Sequence, residues 1–387
     1  MAPVIFPPRS NQAMACGNRF RRIGTAALIT SSILFSTSAV QAKISSLSDL
    51  FGFGDSLSDS GNSKVISNTA TGGAATLPPP PYLDGRFSNG LVAAEYLWQA
   101  FNPGNASFKA SLSGGTNYAI GGSTTGTENF IEVWNLTPDP LRPNYQGLGN
   151  AWQLGEFAAS APTFNPVTSL FLVRLFPNDV FYYGSAGLKG VGQFDGTTPV
   201  DSPISTAELI VNGITNLVGS IQTLASQGAR NFLVVNSADL GLIPENLGTN
   251  RQAELSLLSA TFNEALSNQI TNLQANAPHL NLDYFEIDKL FAEILDDPED
   301  YVFSNLTDRC FTGASICDEP DRYLFWDGSH PTTRTHQLIA EHFYETVYKV
   351  PGPAPVLGAA MALGWSRRLR RRLQHQNAQA GLSKNQP

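Results

Sequence analysis

Charge is scarce in this chain: 14% of its 387 residues are Asp, Glu, Lys or Arg, against roughly 25% in an ordinary soluble domain. Basic residues are the scarcer sign, 24 against 32 acidic. That balance speaks against nucleic-acid binding, whose affinity rests on Lys and Arg neutralising phosphates. Cysteine is nearly missing, and 3 residues are too few for a disulfide scaffold. No internal repeat is present, which sets aside solenoids and propellers. No His, Asp or Glu cluster has metal-ligand spacing, and Gly121, Gly122 and Gly126 lack the Lys-Ser/Thr ending of a phosphate loop. No metal and no cofactor are expected. The hydrophobic share of 42% is that of a globular chain long enough for a substantial core.

Acidic residues are missing altogether from both ends. Residues 1–42 hold Arg9, Arg19, Arg21 and Arg22, then an apolar run over 23–40 closing in Val40-Gln41-Ala42. Small residues there suit signal peptidase, so 1–42 reads as a secretory signal, with translation starting at Met1 or Met14. At the other end, Val350-Pro351-Gly352-Pro353 leads into an apolar run to Trp365 and then Arg367, Arg368, Arg370, Arg371 and Arg372. A basic cluster directly behind an apolar run is a stop signal of the positive-inside kind. Over 350–373 this resembles the PEP-CTERM type of bacterial sorting tail, with Val-Pro-Gly-Pro where that box has Pro-Glu-Pro. The resemblance implies export to the cell surface or beyond, transient anchoring in the inner membrane and release by a C-terminal sorting protease, with 374–387 a disordered tail.

In between, apolar runs at 50–54, 117–120, 169–174, 231–235 and 282–285 read as strands, and periodic segments at 88–101, 151–159, 206–227, 251–275 and 332–348 as helices. The third helix spaces Leu209, Ile210, Ile214, Leu217, Ile221 and Leu224 at helical intervals and stops at Gly228. Strands alternating with helices imply a mainly parallel sheet covered on both faces, a three-layer α/β/α sandwich. Such sheets place their sites at the carboxyl ends of the strands. Residues 43–349 read as one domain, expected to be a monomer, with surface insertions at 137–150 and 189–203.

After the first strand, Gly54-Asp55-Ser56 makes a tight turn that exposes a serine hydroxyl. Serine is a weak nucleophile without a base. Of His279, His330, His336, His342 and His375, the second is distinct, because Pro331 bars His330 from helical geometry and holds it in a loop. His336 and His342 read as exposed or boundary positions of a helix. Asp327, three residues before His330, can fold back onto one ring nitrogen and leave the other free for a serine proton. Cys310 and Cys317, with six residues between them in an exported chain, read as a disulfide bracing the loop before Asp327, or else as free thiols.

Gly-Asp-Ser-Leu-Ser-Asp-Ser-Gly-Asn at 54–62 and Trp-Asp-Gly-Ser-His-Pro-Thr at 326–332 resemble the first and last blocks of the GDSL lipase/esterase (SGNH hydrolase) family. Asn117 to Ser123 resembles its glycine block and Phe176-Pro177-Asn178-Asp179 its asparagine block, in the family's order. Tyr82-Leu83-Asp84-Gly85-Arg86-Phe87-Ser88-Asn89-Gly90 resembles a segment of the bacterial lecithinase- or hemolysin-like branch. The resemblance implies a flavodoxin-like fold and an exported serine esterase or lipase. In it Ser56 is the nucleophile, His330 the base, Asp327 its orienter, and an oxyanion hole forms from Ser56 N–H, Gly122 N–H (or Gly121) and the Asn178 amide. The family has glycine where this chain has Phe176, and Phe176-Pro177 is expected to narrow the acyl pocket. Substrates implied are esters or acyl lipids. The net charge of −18 over 43–350, from 14 basic and 32 acidic residues, tilts toward soluble esters or sugar acetates over anionic bilayers. A chain that kept the fold without its chemistry would be a surface module binding extracellular polysaccharide, with an O-acetyl esterase acting on that polysaccharide the other alternative.

Overall fold

Four apolar runs pair in parallel, in the order β1 (Asp49–Gly54), β2 (Ser169–Arg174), β3 (Asn231–Val235) and β4 (Asn281–Phe285). The structure, a computed structural model, describes residues 44–194 and 202–348. The expected signal at 1–42, the sorting segment at 350–373 and the tail at 374–387 lie outside the described residues. In chain order the helices are α1 (Asn62–Thr71), α2 (Ala93–Phe101), α3 (Phe130–Val133), α4 (Asn150–Ser160), α5 (Pro177–Ser185), α6 (Thr206–Ser226), α7 (Gln252–Asn276), α8 (Ile287–Asp296) and α9 (Thr333–Val347). A short parallel pair, β5 (Asn305–Arg309) and β6 (Tyr323–Phe325), precedes α9.

Register decides the layers. Phe51, Phe171 and Phe232 lie across from one another on neighbouring strands and so share a face. Phe51 and Phe171 both pack edge-on against Phe157 of α4, and Tyr284, on the same face, donates its hydroxyl to Asn263 O of α7. The alternate residues face the other way, where Phe285 meets Phe343 of α9 at right angles. The sheet is therefore covered on both faces, which is why its strands are continuous apolar runs, and the α/β class with a mainly parallel sheet is observed.

Four expectations change. The run at 117–120 is not a full strand, although Tyr118 N and Ile120 N donate to Gly52 O and Gly54 O. Its outer carbonyls, Asn117 O and Ala119 O, accept both bonds from Asn62 Nδ2, so a side chain closes this sheet edge. The helix expected over 88–101 starts at Ala93, because residues 88–91 are engaged with the loop before α9. The segment 137–150 is no mere surface insertion: Leu141 and Tyr145 are buried in a second apolar cluster with Phe87, Ile120 and Ile131. His336 is fully buried in α9, accepts from Ala93 N and is held neutral, its pKa driven well below the ordinary value by burial.

Candidate active site

Ser56 sits where β1 turns back over the sheet. Gln153 of α4 clamps the last strand residue, accepting from Gly54 N at 2.9 Å and donating to Gly54 O at 2.7 Å. Asp55 O then accepts from Ser58 N and Asp59 N, and the Asp55 carboxylate accepts from Leu57 N. Next, the buried Asp59 carboxylate accepts four backbone N–H groups, from Gly61, Asn62, Ser63 and Gly121. Three of these belong to the start of α1 and its approach, where unsatisfied amides favour an anion. The serine turn is thereby tied to the glycine loop beside it.

His330 Nε2 lies 2.9 Å from Ser56 Oγ. On its other side His330 Nδ1 lies 2.7 Å from Asp327 Oδ2. Asp327 Oδ1 accepts from Ser329 N and His330 N, which sets the Asp-x-x-His turn, and Asp327 Oδ2 accepts from the Tyr82 hydroxyl at 2.6 Å. Burial opposes charge on both partners. The paired imidazole, with Tyr82 and Ser329, still holds the Asp327 carboxyl below its usual range. Asp327, Glu245 and Asp55 likewise raise the His330 pKa above its ordinary value. Behind the serine, burial pushes Asp55 up to about 6 and Arg174 down to about 10, each opposed by the other's charge.

The two glycines differ in how their backbone is engaged. Gly121 N is already bonded to Asp59 Oδ2 at 2.9 Å and Ser63 Oγ at 3.0 Å. Gly122 N, Ser56 N and Asn178 Nδ2 make no hydrogen bond among the described residues, and all three residues line one cavity. Gly122 has φ +79°, and a Cβ there would come within 2.4 Å of Asn129 Oδ1, so only glycine fits. Asn178 lies on the first turn of α5. Beside it the buried Asp179 accepts from Thr125 N at 2.8 Å and Thr125 Oγ1 at 2.5 Å, tying α5 to the glycine loop.

The cavity holds about 420 Å³ and is mainly apolar, with Leu57, Phe130, Ile131, Trp134, Phe181 and Leu240 in its walls. Phe176 is not among the lining residues, against expectation. Its backbone takes φ +127°, and its ring turns into the core to stack on Phe262 at 3.5 Å over Gly213. Pro177 does line the cavity. Cys310 and Cys317 are joined in a disulfide, and the loop between them puts Phe311, Thr312 and Gly313 on the cavity wall. The supports at Asp59, Asp179, Gln153 and Tyr82 were not assigned from sequence. Asp59, Asp179 and Tyr82 sit inside the quoted motifs, and for the first two their neighbourhood to Ser56 and Asn178 was the available signal.

The arrangement combines a hydroxyl, a base within reach, a carboxylate behind it and three residues with unengaged donors on the wall of one cavity. Such a set can activate a nucleophile and hold a negative charge. Residues 50–343 match the family model of the GDSL-like lipase/acylhydrolases. A GDSL esterase/lipase of Arabidopsis thaliana is 23% identical over 376 residues, covering 84% of this chain and 94% of that protein. GDSL esterase/lipase 5 of the same plant is 27% identical, covering 81% and 88%. A Pseudomonas putida protein from the trpE-trpG intergenic region is 28% identical over 81% of this chain and 50% of its own length. Among solved structures, a catalytic mutant of an acetylxylan esterase from Geobacillus stearothermophilus aligns at 14% identity with a TM-score of 0.39, over 80% of this chain and 98% of that one.

Proposed function

Because the chain belongs to the GDSL-like lipase/acylhydrolase family, we propose that it is an exported serine hydrolase of carboxylic esters working through a Ser56 acyl-enzyme. The observation that carries the reading is the 2.9 Å contact of His330 Nε2 with Ser56 Oγ, backed by Asp327 and opening on an apolar cavity. Ser56 Oγ attacks the ester carbonyl carbon while its proton passes to His330 Nε2. The oxyanion formed is held by Ser56 N–H, Gly122 N–H and Asn178 Nδ2. The bond to the alcohol then breaks and His330 returns the proton to the leaving oxygen. Water repeats the sequence on the acyl-enzyme, releasing the acid and restoring Ser56.

The apolar walls favour esters with an extended acyl chain over sugar acetates. Export rests on the sequence features of 1–42 and 350–373, with signal peptidase and a sorting protease as processing partners, and the segment 82–90 is what suggests the bacterial lecithinase-like branch. A fluorophosphonate probe with a p-nitrophenyl ester panel tests the chemistry. The wild type is expected to label and hydrolyse, and Ser56→Ala to lose labelling and about 10⁴-fold or more in kcat/KM. An unlabelled wild type would sink the reading.

A further inference from the structure

The segment Tyr82 to Gly90 stood out in the sequence and has no part in the chemistry above. In the structure it grips the loop that carries the base. Leu83 N donates to Ser88 O and Arg86 N to Leu83 O, which folds the segment into a compact turn. Arg86 anchors it to α2 through Glu95 at 2.6 Å. At one end Ser88 Oγ donates to Pro331 O, Asn89 Oδ1 accepts from Thr333 N and Leu91 O accepts from Thr333 Oγ1. Gly90 lies so close to Thr333 that a Cβ would come within 2.2 Å of its Oγ1. In the middle, the Phe87 ring lies 5.2 Å from the His330 ring. At the other end Tyr82 reaches Asp327 with its hydroxyl, and its ring stands edge-on to Phe311 and Trp326.

We propose that residues 82–91 form a clasp on the base loop in which Tyr82 is a positioning residue, its hydroxyl fixing the Asp327 carboxylate and setting how strongly that carboxylate holds His330. The inference rests on the reading of His330 as general base. Asp327 Oδ2 faces two donors, His330 Nδ1 at 2.7 Å and Tyr82 Oη at 2.6 Å. A hydrogen bond from a neutral phenol spreads the carboxylate's charge and weakens its pull on an imidazolium. Tyr82 can supply that bond only as the neutral phenol, and burial with the Asp327 charge holds its pKa far above the ordinary value, Arg309 opposing. The other charged or titratable groups facing His330 are Glu245, Asp55 and the neutral His336. None of these reaches Asp327 by a hydrogen bond.

Removal of the hydroxyl is therefore expected to raise the proton affinity of His330. In Tyr82→Phe the ring and its packing stay and Asp327 Oδ2 keeps His330 Nδ1, so the melting curve should move little. The NMR titration of the His330 imidazole, assigned with His330→Ala, is expected to move its midpoint upward by about 0.5 to 1 in pH, since the carboxylate loses one of its two charge-assisted donors and keeps the imidazole. The acid limb of kcat/KM should shift with it, and kcat should fall about fivefold or more while KM holds. Substituting 3-fluorotyrosine in the otherwise native protein makes the phenol a stronger donor and should move the His330 midpoint the other way, which keeps a test open if Tyr82→Phe folds poorly. A midpoint that stays put, or a loss of activity that tracks only a lowered melting temperature, overturns the clasp. The titration is read whether or not an ester is turned over. A wild type without esterase activity therefore counts against the proposed function and leaves this result separate.

Discussion

The two halves of the site are held by different physics. On the nucleophile side, buried carboxylates do the fixing: Asp59 collects four backbone N–H groups and Asp179 two bonds from Thr125, so the serine turn, the glycine loop and α5 form one hydrogen-bonded block. On the base side the frame is aromatic, with Phe87, Phe311, Trp326 and Tyr82 around the Asp327–His330 turn, and one phenol hydroxyl reaches the Asp327 carboxylate from outside that turn. Buried donors cannot be left empty without large cost, whereas a hydroxyl can leave an aromatic wall that still packs. Stability and catalysis should thus be inseparable at Asp59 and Asp179, the carboxylates that fix the first side, and separable on the second.

Asp59→Ala probes the first side hardest. Three buried N–H groups, of Gly61, Asn62 and Ser63, lose their acceptor while Gly121 N keeps Ser63 Oγ, each worth ~1–3 kcal/mol if left unpaired, with water entering to recover part. A loss of about 4 kcal/mol in urea unfolding is expected, with activity falling as the fraction folded falls. Tyr82→Phe, by contrast, removes one of the two donors on Asp327 Oδ2 and should move the unfolding curve far less. If the two variants destabilised alike, the contrast between the halves would collapse.

Asn178→Ala sharpens it within the site. The Asn178 amide makes no hydrogen bond among the described residues, so its loss should spare stability and cost catalysis alone, about 10²–10³-fold in kcat, or ~3–4 kcal/mol of barrier. The His330 titration should stay where it is in the wild type. A shift there would show that the oxyanion side and the base side are electrostatically one unit.

How far the chain announces this architecture differs between its parts. Strands β1 to β3 were readable because burial on both faces leaves apolar runs such as Leu170 to Val173, and β4 was readable although Asp283 interrupts it. Helix α1 was not, since Asn62, Ser63, Ser67 and Thr71 carry no apolar period and its start is set by Asp59. Helix α8 does space Ile287, Leu290, Phe291 and Ile294 at helical intervals, a signal the strand-and-helix reading left out. At the site, Ser56, His330, Asp327, Asn178 and Gly122 were named from motif order, and the structure brings them around one cavity. The role of Gly121 was undetermined from sequence because it depends on where Asp59 points. Tyr82 and Asp327 lie 245 residues apart, so no local pattern links them.

Phe176 carries the smallest expected effect and the most direct test of what the sequence suggested. A non-glycine residue at φ +127° is strained, at a cost of ~1–3 kcal/mol. The ring offsets it by stacking on Phe262 in a fully buried position, where deletion of a phenyl group costs ~3–5 kcal/mol. Phe176→Gly removes both terms, so a net loss of about 2 kcal/mol is expected in urea unfolding. Since the ring turns away from the cavity, kcat/KM across acetyl, butyryl and longer p-nitrophenyl esters should change by less than about threefold, in parallel for all lengths. If the variant instead gained activity selectively on the longer chains, Phe176 would be the narrowing wall that the sequence led one to expect, and the nucleophile side would set specificity as well as stability.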